Sequence, residues 1–163
     1  MRAVPAFAML AAALLLVGCC KTHVASTAIT ATVDRSDPAA TARAVLTAYR
    51  DKDLEALSRL CTRWNSGLMA EMAKSGEGHP SYASIFGGWR WKAVSAWDGR
   101  LRETRFRGPD AAAVAFGDIE PDEIAVVSLE WEGGRWCFDD VNSPATSRFK
   151  SLPTERPGRA SPP

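Results

Sequence analysis

Few side chains in this sequence are suited to proton transfer. The histidines, His23 and His79, lie far apart, and His79 is next to a proline in an apparent loop. The best acid candidates are Asp139 and Asp140, because successive side chains of a strand alternate between faces, so one of the two must face the covered side of a sheet. An apolar environment there would raise its carboxyl pKa toward the range used in acid–base catalysis. A solvated strand end that caps a turn is the simpler interpretation.

Two other groups of residues are candidates for ligand binding. Arginine forks suit phosphate or carboxylate groups, and four arginines fall close together, at Arg100, Arg102, Arg105 and Arg107. Their alternative is a solvated strand face. A stripe of large aromatic residues could line a ligand cavity, and it consists of Trp89, Trp91 and Trp97. Packing between sheet and helices is the alternative use of these indoles.

The chain opens with the three parts of a secretory signal. Met1 and Arg2 supply positive charge, the uncharged run from Ala3 to Val17 follows, and Gly18-Cys19 closes the segment. The run is shorter than the roughly 20 residues of a membrane-spanning helix, and Pro5 disfavours a long uninterrupted span. An ordinary signal peptide or a short anchor helix is the alternative.

The segment Leu16-Val17-Gly18-Cys19 resembles the lipobox of bacterial lipoproteins. The resemblance implies that residues 1–18 are removed and that the Cys19 thiol is lipidated. Two or three acyl chains anchor a protein firmly, whereas one chain binds reversibly. Because Cys20 replaces the Asp that favours inner-membrane retention, the implied location is the bacterial cell envelope, on the outer membrane facing the periplasm in a Gram-negative cell.

The remaining composition argues against several classes of partner. The whole chain has 20 Lys+Arg and 19 Asp+Glu, and loss of Arg2 leaves 19 of each. No basic field therefore indicates nucleic-acid binding. The cysteines form no CxxC pair and have no histidine nearby, so neither a metal nor another cofactor is predicted.

Two of the remaining cysteines are disulfide candidates. With Cys19 assigned to the lipid, Cys61 and Cys137 are the natural pair in an oxidising periplasm. The long loop between them would allow a stabilisation of about 4–5 kcal/mol in the chain-entropy model. Two buried free thiols are the alternative, and Cys20 is expected to remain unpaired.

Composition divides the mature chain into three parts. Residues 19–36 hold the lipidated cysteine and a segment rich in Thr, Ala and Ser, which is typical of a flexible tether. Residues 37–150 are long enough for a single domain with its own core. Residues 151–163 combine several prolines with small and basic residues and predict a disordered tail.

Within the domain, helices are predicted first and strands second. Ser36-Asp37-Pro38 is typical of a helix start, Asp53 can cap a continuation, and a further helix is predicted around Asn65 to Lys74. Alternating residues then predict strands, with Gly133-Gly134 as a tight hairpin turn. The predicted strands are Trp89–Trp97, Arg102–Arg107, Ala111–Gly117, Ile124–Trp131 and Arg135–Val141. This order predicts an α+β domain.

Several of these segments together resemble domains of the nuclear transport factor two-like (cystatin-like) family. The resemblance rests on Tyr49-x3-Asp53-x-Glu55-Ala56-Leu57 and on the closing hairpin, Val126–Trp131 followed by Gly133-Gly134-Arg135-Trp136-x-Phe138-Asp139-Asp140. It implies N-terminal helices packed on a curved antiparallel sheet of about four strands, which encloses a cone-shaped cavity. It further implies that a Cys61–Cys137 disulfide would tie the end of the first helical region to the last strand.

The resemblance leaves the activity open, because this fold hosts many functions. Enzymes of the family place an Asp or His with Tyr hydroxyls inside the cone, and this chain is poor in such groups. We therefore expect a non-enzymatic, membrane-anchored accessory or binding domain that holds a small apolar ligand or an envelope protein. The alternative is a cone-cavity isomerase, dehydratase or hydrolase that works through Asp139 and Tyr82.

Overall fold

Five helices precede the four strands in the described part of the chain and one short helix follows them, which confirms the predicted α+β class. The computed structural model describes residues 33–158, so Cys19, Cys20, the predicted signal peptide and most of the predicted tether lie outside the described residues. The described elements are α1 (Pro38–Arg50), α2 (Leu54–Leu60), α3 (Arg63–Ser75), a 3-10 turn (Gly76–Gly78), α4 (Tyr82–Phe86), α5 (Trp89–Ser95), β1 (Thr104–Gly108), β2 (Ala111–Glu120), β3 (Glu123–Glu132), β4 (Arg135–Asn142) and α6 (Thr146–Lys150).

Local capping signals fix where the first three helices begin. The Asp37 carboxylate accepts hydrogen bonds from the backbone N–H groups of residues 39 and 40, at 2.9 and 3.1 Å, and Pro38 takes the first helical position. Asp53 caps α2 in the same way, through the N–H of Ala56 at 2.9 Å. Thr62 caps α3 and starts it two residues before the predicted position. Each cap satisfies an N–H group that the helix itself leaves unpaired.

The four strands form an antiparallel meander in the order β1-β2-β3-β4. Gly133 and Gly134 join β3 to β4 with φ angles of 56° and 81°, a conformation that glycine adopts without steric cost. The register of β3 and β4 shifts between Ser128 and Leu129, which leaves Asp139 as the unpaired residue of a bulge in β4.

One predicted strand is a helix in the structure. The segment Trp89–Trp97 forms α5 and a short exit from it, and β1 begins only at Thr104. Its apolar residues fit both periods, because Trp91 and Val94 are also three residues apart and lie on one side of a helix. Val94 is fully buried and Trp91 stacks on Tyr49 of α1, with ring centroids 6.3 Å apart. The alternation of apolar residues therefore did not determine the conformation of this segment, and its packing against α1 makes it a helix.

The core lies between the helices and one face of the sheet. Buried residues of α1, such as Val45 and Leu46, belong to the same cluster as Val114, Val127 and Leu129 of the central strands. The alternate residues of these strands face the other side of the sheet. There a smaller buried cluster forms beneath α6 and consists of Ala113, Ala115, Ile124, Val126 and Phe149.

The outer edge of β4 is covered by other parts of the chain. The N–H of Trp136 donates to the carbonyl of Arg35 at 2.8 Å, and the N–H of Thr62 donates to the carbonyl of Phe138 at 2.8 Å. Arg90 Nε reaches the carbonyl of Val141 at 2.7 Å. Covering an edge in this way removes a template for pairing with another chain. It also means that residues 33–36, within the predicted tether, dock on the domain.

The other edge, β1, is covered by the segment after α6. This segment falls within the predicted disordered tail, yet its described part, residues 151–158, contacts the sheet. The N–H of Phe106 donates to the carbonyl of Pro153 at 2.9 Å, and Arg105 Nη1 donates to the carbonyls of Lys150 and Leu152 at 3.0 and 2.7 Å. Proline lacks an N–H but keeps its carbonyl, so a proline-rich segment can still accept hydrogen bonds from an edge strand. Residues 159–163 lie outside the described part.

Arg156 fastens this segment to the sheet. Its guanidinium carbon lies 4.2 Å from the centre of the Trp131 ring and 4.7 Å from that of Trp136, and its Nε donates to the Pro109 carbonyl at 2.6 Å. We expect Arg156→Gln to lower the free energy of unfolding by about 1–2 kcal/mol, because partly desolvated cation–π contacts are worth about that much. Urea unfolding measures the change. Arg148→Gln, on the exposed side of α6, is the control, and equal effects of the two variants would contradict the prediction.

Candidate functional site

The two residues of the predicted catalytic alternative lie in different surroundings. Tyr82 begins α4 and packs on Phe86, with ring centroids 4.8 Å apart, while Lys52 Nζ lies 5.6 Å from its ring centre. Asp139 sits at the bulge of β4, where its carbonyl accepts a hydrogen bond from Asn65 Nδ2 at 2.8 Å. The structure therefore does not join Asp139 and Tyr82 in one site.

Asp139 is half-buried and lies near two other carboxylates, the half-buried Asp140 and the exposed Glu130. Burial raises its pKa above the ordinary aspartate value, and the neighbouring Asp140 adds to that rise, while Arg107 opposes it. The pKa of Glu130 is also raised, by burial and then by Asp139. Asp140 itself pairs with Arg90 at 3.2 Å. The negative charges of these carboxylates repel one another, and Arg107 and Arg90 partly offset that repulsion.

The three tryptophans of the predicted cavity have separate environments. Trp97 is buried, and its indole N–H donates to the Arg100 carbonyl at 2.7 Å. Trp91 belongs to an aromatic group with Tyr49 and Phe86, whereas Trp89 is 39% exposed. Trp97 lines a small depression of about 250 Å³, and neither Trp89 nor Trp91 is among its lining residues. The space between helices and sheet is instead occupied by the buried side chains of the core.

Cys61 and Cys137 are free, buried thiols in the structure, so the disulfide stays a prediction. They lie on adjacent backbone segments, because Cys61 forms a bridge with Phe138 beside β4. The Cys137 sulfur accepts a hydrogen bond from Arg35 Nη2 at 3.0 Å. Burial, and secondarily the nearby Cys137, raises the pKa of Cys61 to about 12.

The raised pKa predicts slow alkylation of Cys61 in the reduced, folded protein. Against a thiol of pKa 9.0, the thiolate fraction of Cys61 at pH 8 falls by about 10³-fold, and the thiolate is the reactive form. The pKa of Cys61 is higher in the folded than in the unfolded protein, so the free energy of unfolding depends on pH. The stability that comes from burying the neutral thiol is complete below about pH 9 and is lost as the pH rises toward about 12.

Iodoacetamide labelling followed by peptide mass analysis measures this rate, with urea-unfolded protein as the control. Labelling of Cys61 in the folded protein as fast as in urea would contradict the predicted burial. Protein prepared without reductant tests the disulfide, because an oxidised pair gains two hydrogen atoms of mass on reduction.

Arginines that are distant in sequence line an open depression, which we call the arginine cleft. It has a volume of about 990 Å³. The two cysteines and Glu132 also line it, and its arginines are Arg35, Arg59, Arg63 and Arg135. None of the four belongs to the arginine group at residues 100–107 that the sequence indicated. No spacing signal could have found them, because only the fold brings these parts of the chain together.

The second depression, the sheet-face pocket, lies on the side of the sheet away from the main core. Its volume of about 490 Å³ falls within the range of small-molecule sites. Apolar residues line part of it, namely Ala113, Val126, Phe149 and Leu152. Polar groups also line it, and they are Arg107, Ser128, Asn142, Ser143 and Arg148.

One hydrogen bond organises the polar part of this pocket. Asn142 Nδ2 donates to Ser128 Oγ at 2.8 Å, which accounts for the burial of a hydroxyl that is only 1% exposed. Of the predicted arginine group, only Arg107 lines the pocket. Arg105 is occupied by Glu103 and by the segment after α6.

The structure is an α+β domain in which helices pack on a four-stranded sheet, and it has open depressions at its surface. No known family model, curated protein or solved structure matches the chain. Within residues 33–158, no helix is long and apolar enough to cross a membrane. The same residues contain no group of three or more His, Cys, Asp or Glu side chains arranged to hold a metal ion.

Proposed function

We propose that this chain is a lipid-anchored lipoprotein of the bacterial cell envelope whose domain binds a small, largely apolar ligand without catalysis. The observation that carries the binding role is the sheet-face pocket. It combines an apolar lining with convergent polar groups, the usual composition of a small-molecule site. Arg107 and Arg148 favour a ligand that carries an anionic group at one end.

The anchor is proposed from the N-terminal sequence. The lipobox-like segment ends at Cys19, and the described domain begins 14 residues later, at Val33. Even fully extended, a chain of that length reaches at most about 50 Å. A lipid on Cys19 would therefore hold the domain close to the bilayer.

The anchor is tested by intact mass of the protein purified from its native membrane. We expect a chain that starts at Cys19 and carries two or three acyl chains. Cys19→Ala should abolish acylation and release the protein from the membrane fraction. Cys20→Ala is the matched control and should leave both unchanged. A wild-type chain without added acyl mass would contradict the anchor.

The pocket is tested with anilinonaphthalene sulfonate, an apolar fluorescent dye that carries one negative charge. We expect saturable binding to the folded protein. Ser143→Trp should fill the pocket and weaken binding by about ten-fold or more, a loss of about 1.4 kcal/mol. The control is Ser147→Trp, on the exposed face of α6 outside the pocket. Equal dye binding by both variants, with unchanged thermal unfolding, would contradict the proposed pocket.

We also propose that the sheet is the curved sheet of a nuclear transport factor two-like cone. Support comes from the bulges in β2 and β4, since bulges bend strands, and from the packing of α1 against β2, β3 and β4. The alternative cone-cavity enzyme is less well supported, because Asp139 and Tyr82 contact different groups. An experimental structure with a flat sheet would contradict the cone.

A further inference from the structure

The arginine cleft lies where the described chain begins. Arg35, two residues after Val33, lines the cleft, and its backbone carbonyl is held by the N–H of Trp136 at 2.8 Å. Its guanidinium also donates to the carbonyls of Arg59 and Leu60, at 2.9 and 3.0 Å. These bonds fix the start of the domain at this surface, so a lipid on Cys19 would be attached through this side of the molecule.

The cleft concentrates positive charge on a chain whose overall charge is close to zero. Arg59, Arg63 and Arg135 are exposed, and Glu132 is the acidic residue among the lining residues. A Glu132 oxygen accepts the backbone N–H of Arg63 at 2.9 Å. The side chains of Arg63 and Arg135 form no ion pair with a carboxylate within residues 33–158. Both are therefore available to an anionic partner.

A large apolar side chain stands beside this charge. Trp64 follows Arg63 at the start of α3 and is 91% exposed, and Leu68, one helical turn later, is 36% exposed. Trp64 and Leu68 thus give α3 an exposed apolar patch that is able to contact another body. Indole rings favour the headgroup level of membranes, where an apolar ring and a polar N–H are both accommodated.

We propose that the face formed by the arginine cleft and Trp64 docks the domain on an anionic membrane surface. Arg63 and Arg135 meet lipid phosphates, and the Trp64 ring enters the headgroup region. This inference rests on the proposed lipid anchor, which supplies a high local concentration of membrane at the start of the domain. It assigns the cleft a role separate from that of the sheet-face pocket.

The experiment uses the full lipidated protein reconstituted into vesicles that contain brominated acyl chains, which quench nearby tryptophan fluorescence. Vesicles of phosphatidylcholine alone are compared with vesicles that also contain phosphatidylglycerol. We expect stronger quenching with phosphatidylglycerol and loss of that increment in Trp64→Phe. Trp89→Phe, outside this face, should keep it.

Variants that remove a single charge measure how much each arginine contributes to membrane docking, apart from Trp64. Arg63→Gln and Arg135→Gln should each weaken the docked state by about five-fold, as expected for one basic residue at an anionic surface. Added salt should reverse the phosphatidylglycerol effect, because exposed charges are screened. Arg102→Gln, an exposed arginine outside the cleft, is the matched control and should change nothing.

The possible results distinguish a failure of the docking face from a failure of the lipid anchor. Acylated protein whose Trp64 is quenched equally in both vesicle types would overturn the docking face and leave the anchor standing. If the mass shows no acyl chains, sedimentation of the full chain with phosphatidylglycerol vesicles decides the docking face alone. Binding weakened by Arg63→Gln would support it, and no binding would overturn it. Binding of inorganic phosphate without any Trp64 quenching would mark a site for soluble anions and also overturn it.

Discussion

Replacing Trp136 with alanine is expected to lower the free energy of unfolding by about 3–5 kcal/mol, the usual cost of removing a buried aromatic ring. Trp136 is 1% exposed, and it lies against Phe106 and Trp131 with ring centroids 6.1 and 5.2 Å away. Arg156 covers it from the segment after α6. The substitution therefore leaves a cavity and also loosens the packing of that segment.

The matched control for this prediction is Trp64→Ala. It removes the same side chain, but from a position that is 91% exposed, so we expect a change within about 0.5 kcal/mol. Urea unfolding of both variants gives the comparison. If Trp136→Ala were as mild as Trp64→Ala, the placement of β4 against the core would be wrong.

The second large effect is expected for Arg35→Met, which keeps the apolar stem and removes the guanidinium. In the wild type this group donates to the carbonyls of Trp136, Arg59 and Leu60 and to the sulfur of Cys137. Two of these carbonyls belong to the last turn of α2, where a helix leaves acceptors unpaired and favours positive charge. We expect a loss of about 2–4 kcal/mol, since hydrogen bonds to a charged group are stronger than neutral ones.

Two measurements check this prediction. Urea unfolding should show a much larger effect for Arg35→Met than for Arg102→Met, since Arg102 is exposed. Iodoacetamide labelling of Cys137 should also become faster, because the guanidinium that contacts its sulfur is gone. Equal unfolding of the two variants would mean that residues 33–36 do not hold the edge of β4.

The charge of the whole chain hides the distribution that the fold creates. Equal numbers of acidic and basic residues in the predicted mature chain argued against a strongly basic surface. The fold nevertheless gathers Arg35, Arg59, Arg63 and Arg135 around one cleft. Carboxylates gather on the adjacent strands β3 and β4, at Glu130 and Asp139, where the carboxyl pKa values are raised. The net charge of the chain therefore limits its nonspecific attraction to charged partners, whereas local clusters of charged side chains determine which ligands bind at one place.

The sequence alone determined those features whose causes lie within a few residues. Asp37 followed by Pro38 starts α1, Asp53 starts α2, and the Gly133-Gly134 pair sets the turn between β3 and β4. These depend on side-chain hydrogen bonds to the nearest backbone groups and on the φ angles open to glycine. The order of helices before strands followed from the same local signals.

Only the tertiary structure decided the features that depend on distant parts of the chain. The tryptophan-rich segment at residues 89–97 was predicted to be a strand, and this prediction was wrong, because its packing on α1 stabilises a helix over Trp89–Ser95. Residues 151–158, the described part of the proline-rich segment after Lys150, contact the sheet where the Pro153 carbonyl accepts the N–H of Phe106 at the edge of β1. Both depressions arise from residues that no short spacing connects, because close packing joins side chains in space irrespective of their separation along the chain.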